Sequence, residues 1–380
     1  MARRTKGGGP LSLALLVLAQ LCCAGCCEFS GPRWHGRRSD HFDGRRFHNQ
    51  VEHEVPPALF VRWAATRKRG AWSEHLDAGP GPPPPARVGD GELRVTWVNH
   101  ATVLIQVDGV NLLTDPIWGD VAGPLFYAGS HRRHAPGLRL QDLPPIDVVL
   151  LSHDHYDHLD IGTLQSLAAA HHPVIVAGLG QRALLRSYGL TNVRELDWGS
   201  KLHLGTARGV VIAGVPARHG CMRGLCDRDT TLWLGYVLLT RHGNVYFAGD
   251  TGYGPHFQQI GDRYGPLRLA LLPIAPAKPR ELFAPVHIDA AEAVRAAIVL
   301  RAQESLAIHF GTFAQGDDAE TEPVDALAAA LREHPEVDFR VPEFGIGRDV
   351  PPLRAPGLAA PPAPAAPERP PTSSRAAGGS

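Results

Sequence analysis

The sequence predicts an α/β protein whose strands and helices pack as a layered sandwich. Short apolar runs of strand character alternate with helical stretches through the central part of the chain, and this alternation is typical of α/β folds. The elements occur in two similar successions, which favours a sandwich over a single parallel sheet. A hydrophobic content of 44% is sufficient for a substantial core.

The first strands form a meander. Three apolar runs cover Leu93–Val98, Thr102–Val107 and Val110–Leu113, and Asp108-Gly109 is a favoured hairpin turn between the last two. Further strands are predicted at residues 148–151, 174–177, 210–215, 231–240, 245–248, 269–273 and 305–308. Helices are predicted at residues 161–171, 180–188, 289–300 and 323–333.

Residues 1–27 have the pattern of an export signal, because basic residues precede the apolar run 11–21 and small residues follow it. Ala24-Gly25-Cys26 resembles the end of a bacterial lipoprotein signal, which predicts lipidation of Cys26. Cys26 is one of four cysteines within residues 22–27, and palmitoylation of this cluster and an ordinary cleaved signal are the alternatives. We therefore expect an exported, membrane-associated protein held by a lipid anchor.

Changes in composition divide the rest of the chain. Residues 28–90 form a basic N-terminal segment that ends in a Pro/Gly linker, residues 91–348 form one large domain, and the Pro/Ala-rich residues 349–380 are expected to be disordered. Residues 58–69 predict a short helix with an apolar side and a basic end, which either lies on a membrane surface or docks on its own domain. The net charge of zero gives no electrostatic reason to expect nucleic-acid binding.

The segment Ser152 to His158 contains three histidines and two aspartates directly after an apolar strand. Imidazole and carboxylate are the ligands that suit zinc and similar divalent ions. His153 and His155 are spaced to face one side of an extended loop, while Asp157 and His158 lie on the next turn. The spacing predicts two metal ions, and a solvated His-rich turn is the alternative.

Two metal ions need more ligands than one loop provides. Further donors follow other predicted strands: His219 after 210–215, Asp250 after 245–248 and His309 after 305–308. Strand ends are the usual place for functional groups in layered α/β folds. Each residue alone has a structural explanation, as a turn aspartate or a core histidine, but together they predict one site.

Several residues near these positions leave alternatives open. Cys221 and Cys226 are compatible with a disulfide in an oxidising compartment, or with additional metal ligands. The basic loop 131–134 is compatible with phosphate contact or with simple solvation. Asp115 is either an acceptor for the N–H group of a ligand histidine or an ordinary turn residue before Pro116.

These residues resemble the metallo-β-lactamase fold hydrolases, whose H-x-H-x-D-H signature is matched by residues 153–158. The passages 143–160, 247–253 and 307–313 are similar to the N-acylphosphatidylethanolamine-hydrolysing phospholipase D family, as are 99–103 and 113–116. The resemblance implies a four-layer αβ/βα sandwich. It also implies two zinc ions, one bound by His153, His155 and His219, the other by Asp157, His158 and His309, with Asp250 bridging both.

The same resemblance places His287 beside the phosphate or the leaving group. The residue before it is often Gln in the animal enzymes, whereas here it is Val286, which puts the head-group preference in question. Asp115 and His100 are expected to contact the metal-binding side chains without binding a metal themselves. Asp250 and His287 are the predicted catalytic residues.

The predicted reaction is hydrolysis of an N-acylphosphatidylethanolamine-like phospholipid to N-acylethanolamine and phosphatidic acid, with a hydroxide between the two metals attacking phosphorus. Such a nucleophile also attacks carbonyl carbon, so a lactonase or another ester hydrolase is an alternative. A non-catalytic, metal-stabilised binding protein at a membrane is a second alternative. The ligand set also accepts iron or manganese. The expected partners are a phospholipid substrate and a membrane surface.

Overall fold

The computed structural model of this protein describes residues 29–52, 55–125, 128–205 and 209–354. The predicted export signal, the lipidation site at Cys26 and the tail beyond residue 354 lie outside the described residues. Within the described ranges, each helix is too short or too polar to cross a bilayer.

The elements follow one another along the chain with short connections. The first part of the chain contains α1 (Pro57–Thr66), β1 (Leu93–Asn99), β2 (Thr102–Val107), β3 (Val110–Thr114), β4 (Val121–Leu125), β5 (Ala128–His131), β6 (Val148–Leu150), α2 (Ile161–His171), β7 (Val174–Gly178), α3 (Gln181–Ser187) and β8 (Val193–Leu196). The second part contains β9 (Lys201–His203), β10 (Val211–Val215), β11 (Gly235–Leu239), β12 (Asn244–Phe247), α4 (His256–Tyr264), β13 (Leu267–Pro273), α5 (Arg280–Phe283), α6 (Ala290–Val299), β14 (Ser305–Ile308), α7 (Glu322–Glu333), β15 (Phe339–Arg340) and β16 (Gly347–Asp349).

Most strands of the described chain belong to two seven-stranded sheets. The first sheet has the order β16-β1-β2-β3-β6-β7-β8, and the second has the order β15-β14-β13-β12-β11-β10-β9. Strands β4 and β5 pair separately. In each sheet an antiparallel meander continues into parallel strands, because β3 pairs with β6 and β12 pairs with β13 in parallel.

The two sheets enclose the main core and carry helices on their outer faces. Apolar side chains of the first sheet, such as Trp97, share one buried cluster with side chains of the second sheet, such as Tyr246. Leu164 of α2 packs with Val149 and Ile175 in a separate outer cluster. The four-layer α/β sandwich predicted from the sequence is therefore confirmed.

Local sequence signals explain several element boundaries. Asp108 and Gly109 both have positive φ, at 50° and 76°, and connect β2 to β3 as the predicted hairpin turn. Asp160 caps α2 by accepting hydrogen bonds from the backbone N–H groups of Gly162 and Thr163. Asp289 and Glu292 form a reciprocal capping box at the start of α6.

The sequence misassigned or missed some elements. The strand predicted at 231–240 is limited to Gly235–Leu239. Burial accounts for the apolar character of Leu232 and Leu234. Their N–H groups, however, donate to the carbonyls of Leu179 and Ser152 and not to a strand partner, so these residues do not extend the strand. Helices α4 and α5 and the short strands β4, β5, β8, β9, β15 and β16 were not predicted. Helix α5 and these strands have only two to five residues, which carry little periodicity.

Residues on both sides of the predicted catalytic domain pack on it. In the Pro/Gly linker, Gly81 donates its N–H to the carbonyl of Gly137. After β16, Val350 is buried and the N–H of Leu353 donates to the carbonyl of His242. The domain is therefore covered by residues beyond the boundaries predicted at Gly91 and Arg348.

Candidate metal centre

The side chains singled out in the sequence lie beyond the ends of strands from both sheets. The segment 153–158 follows β6 in the first sheet, whereas His219, Asp250 and His309 follow β10, β12 and β14 in the second. These side chains are buried, except that of His155, which is half-buried. The structure brings all seven predicted ligands together beyond the ends of these strands.

One group of donor atoms comes from His153, His155 and His219. Nδ1 of His155 lies 2.9 Å from Nε2 of His153 and 3.2 Å from Nε2 of His219. Burial lowers the pKa of His219 to about 4, and burial also holds the pKa values of His153 and His155 below the usual range. The three imidazoles are therefore neutral near pH 7 and offer lone pairs to a cation.

A second group of donor atoms comes from Asp157, His158 and His309. Oδ2 of Asp157 is 3.2 Å from Nε2 of His158 and 3.5 Å from Nε2 of His309. Burial opposes protonation of His309, but the carboxylates of Asp250 and Asp157 outweigh it and raise its pKa to about 9. A divalent cation among these atoms would take the place of the proton.

Asp250 lies between the two groups. Its Oδ2 is 3.1 Å from Nε2 of His158 and 3.0 Å from Nε2 of His309. The same oxygen is 3.9 Å from Nε2 of His153 and 3.8 Å from Nε2 of His219. Oδ1 of Asp250 is buried and has no hydrogen-bond partner among the described residues. Because a buried carboxylate oxygen without a donor is costly, this oxygen fits a metal ion.

His100 and Asp115, which were predicted to support the metal-binding side chains, both contact predicted ligands. Nε2 of His100 hydrogen-bonds to Oδ2 of Asp157 at 2.9 Å, and burial lowers the pKa of His100 to about 3, so the ring donates while neutral. Asp115 accepts a hydrogen bond from Nδ1 of His158 at 2.7 Å. The donor atom of His100 also lies within 4.8 Å of those of Asp157, His158 and His309.

Three residues of the site have a backbone conformation that side chains other than glycine rarely adopt. The φ angles of His100, Asp115 and His309 are 41°, 33° and 60°. Such conformations persist where surrounding contacts enforce them, and they often occur at functional sites. The backbone turns sharply at these three residues, and the turns direct the side chains toward the centre of the site. No pattern in the sequence predicts these turns.

His287 lies against Asp250, as the sequence comparison implied. Its Nδ1 is 3.8 Å from Oδ2 of Asp250, is buried and has no hydrogen-bond partner among the described residues. Burial holds the pKa of His287 well below its usual value. The carbonyl oxygen of the preceding Val286 accepts a hydrogen bond from Nδ1 of His219 at 2.9 Å, so Val286 contributes through its backbone.

Two contacts of the ligands were not predicted. The side-chain amide of Gln315 donates to Oδ2 of Asp157 at 2.6 Å. The side chain of Asn49 hydrogen-bonds to both backbone groups of His219. Single amides in irregular segments have no periodic pattern, so the sequence offered no signal for either contact.

The structure decides between alternatives for two neighbouring segments. The Arg132 side chain donates to the carbonyls of Ile117 and Gly119 and lies over the ring of Phe313. These contacts within the fold occupy the guanidinium group, so this arginine of the 131–134 loop is not available to bind phosphate.

Cys221 is a free, buried thiol, which excludes a disulfide with Cys226. Cys221 also belongs to none of the described groups that are able to hold a metal.

Comparison with known proteins gives a consistent result. The family described as "Beta-lactamase superfamily domain" matches residues 110–310. N-acyl-phosphatidylethanolamine-hydrolyzing phospholipase D 1 of Caenorhabditis elegans is 36% identical over 244 residues, which cover 62% of this chain and 68% of that protein. The mitochondrial N-acyl-phosphatidylethanolamine-hydrolyzing phospholipase D of Saccharomyces cerevisiae is 32% identical over 237 residues, which cover 61% of this chain and 50% of that protein.

A solved structure has the same fold. Igni18, a metallo hydrolase from the archaeon Ignicoccus hospitalis, superposes with a TM-score of 0.51 at 22% sequence identity, covering 68% of this chain and 98% of that chain. At this identity the similarity concerns the fold alone.

Proposed function

This chain belongs to the beta-lactamase superfamily and is a metal-dependent hydrolase, and we propose that it is a zinc-dependent phosphodiesterase of the phospholipase D type. The substrate would be an N-acylphosphatidylethanolamine-like phospholipid, and the products N-acylethanolamine and phosphatidic acid. The substrate class is suggested by the C. elegans and S. cerevisiae relatives. The metal is suggested by a donor set of five imidazoles and two carboxylates, which suits zinc.

The position of Asp250 carries this proposal. Its carboxylate lies between the group of His153, His155 and His219 and the group of Asp157, His158 and His309. A carboxylate with one buried oxygen lacking a partner is suited to bind an ion on each side. Two divalent ions at these groups would lower the pKa of a shared water to about 7 and polarise the phosphoryl oxygens.

Residues of the chain itself would then orient the substrate and assist departure of the leaving group. His287 faces Asp250 with an Nδ1 atom that no described protein group uses. Because this ring is buried and neutral, a hydrogen on Nδ1 would donate a hydrogen bond to the leaving alkoxide oxygen and stabilise its charge. The alkoxide would take up the proton that the attacking water releases. Asp115, His100 and Gln315 would act through the ligands that they contact.

A line of aromatic side chains connects the metal centre to the surface. His287 lies next to Phe283, with ring centroids 5.8 Å apart, and Phe283 lies 5.7 Å from Trp63 of α1. Trp63 in turn lies 5.5 Å from Phe60, which is 54% exposed. These rings would offer an apolar surface against which an acyl chain of the lipid packs as its head group reaches the metal centre.

Helix α1 also provides the surface for a membrane partner. Trp63 and Arg67 bind the carboxylate of Asp317 and so fix the helix on the domain. Phe60 and Val61 remain exposed on this helix, and Lys68 and Arg69 add exposed cationic side chains just beyond its end. An exposed apolar pair with adjacent basic residues is suited to an anionic bilayer surface. Export and a lipid anchor at Cys26 would place the protein at such a surface.

The proposed reaction is tested by product analysis. The zinc-loaded protein is incubated with vesicles containing N-acylphosphatidylethanolamine and, separately, with an acyl-homoserine lactone. Mass spectrometry should detect N-acylethanolamine and phosphatidic acid from the vesicles and no opened lactone. Asp250→Asn should lose activity by orders of magnitude, because it removes the carboxylate charge between the two metal groups.

Asp262→Asn is the matched control, because Asp262 is an exposed aspartate on α4. This variant should keep full activity. Lactone opening without phospholipid cleavage would replace the proposed substrate class, and equal activity of Asp250→Asn would contradict the role of Asp250.

A further inference from the structure

Asn49 is joined to His219 by a pair of hydrogen bonds. The backbone N–H of His219 donates to Oδ1 of Asn49 at 3.0 Å, and the side-chain N–H of Asn49 donates to the carbonyl of His219 at 2.8 Å. The indole N–H of Trp233 donates to the same Oδ1 at 3.0 Å. Asn49 therefore satisfies both backbone groups of His219 and is itself held by Trp233.

His219 needs this support because it lies outside regular structure. Strand β10 ends at Val215 and β11 begins at Gly235, so neither sheet pairs with the backbone of His219. The residue is only 5% exposed, and a buried N–H or C=O group without a partner is destabilising. The amide of Asn49 takes the place of a neighbouring strand at this one residue.

The segment that carries Asn49 is anchored close to the same loop. Phe42 and Phe47 form a backbone bridge and share a buried cluster with Ala217, Cys221 and Trp233. The N–H of Phe47 donates to the carbonyl of Asp229, and Asp229 accepts from the N–H of Cys221. These contacts fix the position of Asn49 relative to His219.

We propose that Asn49 is a positioning residue that holds His219 in place as a metal ligand. This inference rests on the proposed role of His219 in the group with His153 and His155. The carbonyl of Val286 orients the imidazole of His219 through Nδ1, and Asn49 fixes the backbone from which that ring projects. The basic N-terminal segment is thus a part of the metal centre.

The proposal predicts unequal effects on the two metal positions. The group of Asp157, His158 and His309 receives no contact from Asn49 in the described structure. Loss of Asn49 should weaken the position that contains His219 by about 10–100-fold, as expected when a group supporting a metal ligand is removed. The other position should keep its affinity.

The test uses the full chain with Asn49→Ala, Asn49→Leu and the control Gln50→Ala. Leucine has the same number of side-chain heavy atoms as asparagine with the same branching, and therefore separates lost hydrogen bonds from a lost side chain. Gln50 is exposed, and its side chain bonds only to Gln259 among the contacts described. Zinc per chain is measured during titration with a chelator, and the thermal midpoint of each metal-free protein is measured in parallel.

We expect both Asn49 variants to lose one zinc ion at about 10–100-fold lower chelator concentration than the wild type, while Gln50→Ala matches the wild type. Wild-type affinity for both ions in the Asn49 variants would overturn the proposal. So would an equal loss of both ions, because that result indicates general destabilisation. A wild type that binds two zinc ions but leaves the phospholipid intact would refute the proposed reaction and not the role of Asn49.

Discussion

The Oδ2 atom of Asp115 accepts a hydrogen bond from Nδ1 of His158 at 2.7 Å, and neither side chain is exposed to solvent. The same oxygen accepts the hydroxyl hydrogen of Ser152 at 2.6 Å, and Ser152 Oγ lies 2.9 Å from Nδ1 of His153. One carboxylate thus orients a histidine from each metal group. Both rings keep Nε2 directed toward the centre, which is the arrangement that a metal ligand requires.

Replacing Asp115 should therefore weaken both metal positions. We expect Asp115→Asn to lower zinc affinity by about 10–100-fold at both, because the charge that holds the two rings is lost. Ser152→Ala should affect only the position that contains His153. Competition titration with a chelator measures both effects, with Asp349→Asn on the exposed edge strand β16 as the control. Unchanged affinity in Asp115→Asn would rule out the orienting role.

His287 should contribute to turnover and not to metal retention. We expect His287→Ala to lower kcat by about 10²–10³-fold, because the leaving oxygen loses a positioned hydrogen-bond donor. The variant should still bind two zinc ions. Steady-state kinetics and zinc analysis on the same preparation check both statements. If zinc is lost together with activity, His287 is itself a ligand, which its position near His219 and Asp250 also allows.

The exposed side of α1 should determine activity at membranes. We expect the double variant Phe60→Ser, Val61→Ser to bind anionic vesicles at least about tenfold more weakly, because full burial of such a side chain contributes roughly 1.5–3 kcal/mol. Hydrolysis of detergent-dispersed substrate should not change. The control is Ile298→Ser, which replaces an exposed apolar residue on α6. Equal vesicle binding by the two variants would contradict a membrane role for α1.

The fold and the clustering of the donor side chains were largely predictable because they leave local patterns. The hairpin at Asp108-Gly109 follows from turn chemistry, and the strands of both sheets follow from apolar runs. The site is visible in the sequence because the donors follow such runs at short distances along the chain, as Asp250 does after β12. Family similarity then assigned the donors to two groups that agree with their placement in the structure.

The supporting contacts were not predictable because they join residues far apart in the chain. Asn49 and His219, or Gln315 and Asp157, meet only in the folded protein. The positive φ of His309 likewise depends on its surroundings, since its N–H donates to the carbonyl of His100. Such contacts arise from tertiary packing, which leaves no periodicity in the sequence.

Anomalous X-ray diffraction at the zinc edge from zinc-loaded crystals tests the central claim most directly, because it locates each metal ion. The account predicts two peaks: one among His153, His155 and His219, the other among Asp157, His158 and His309, with Asp250 contacting both. No peak at these residues, or a single peak that leaves Asp250 without a metal contact, would contradict it.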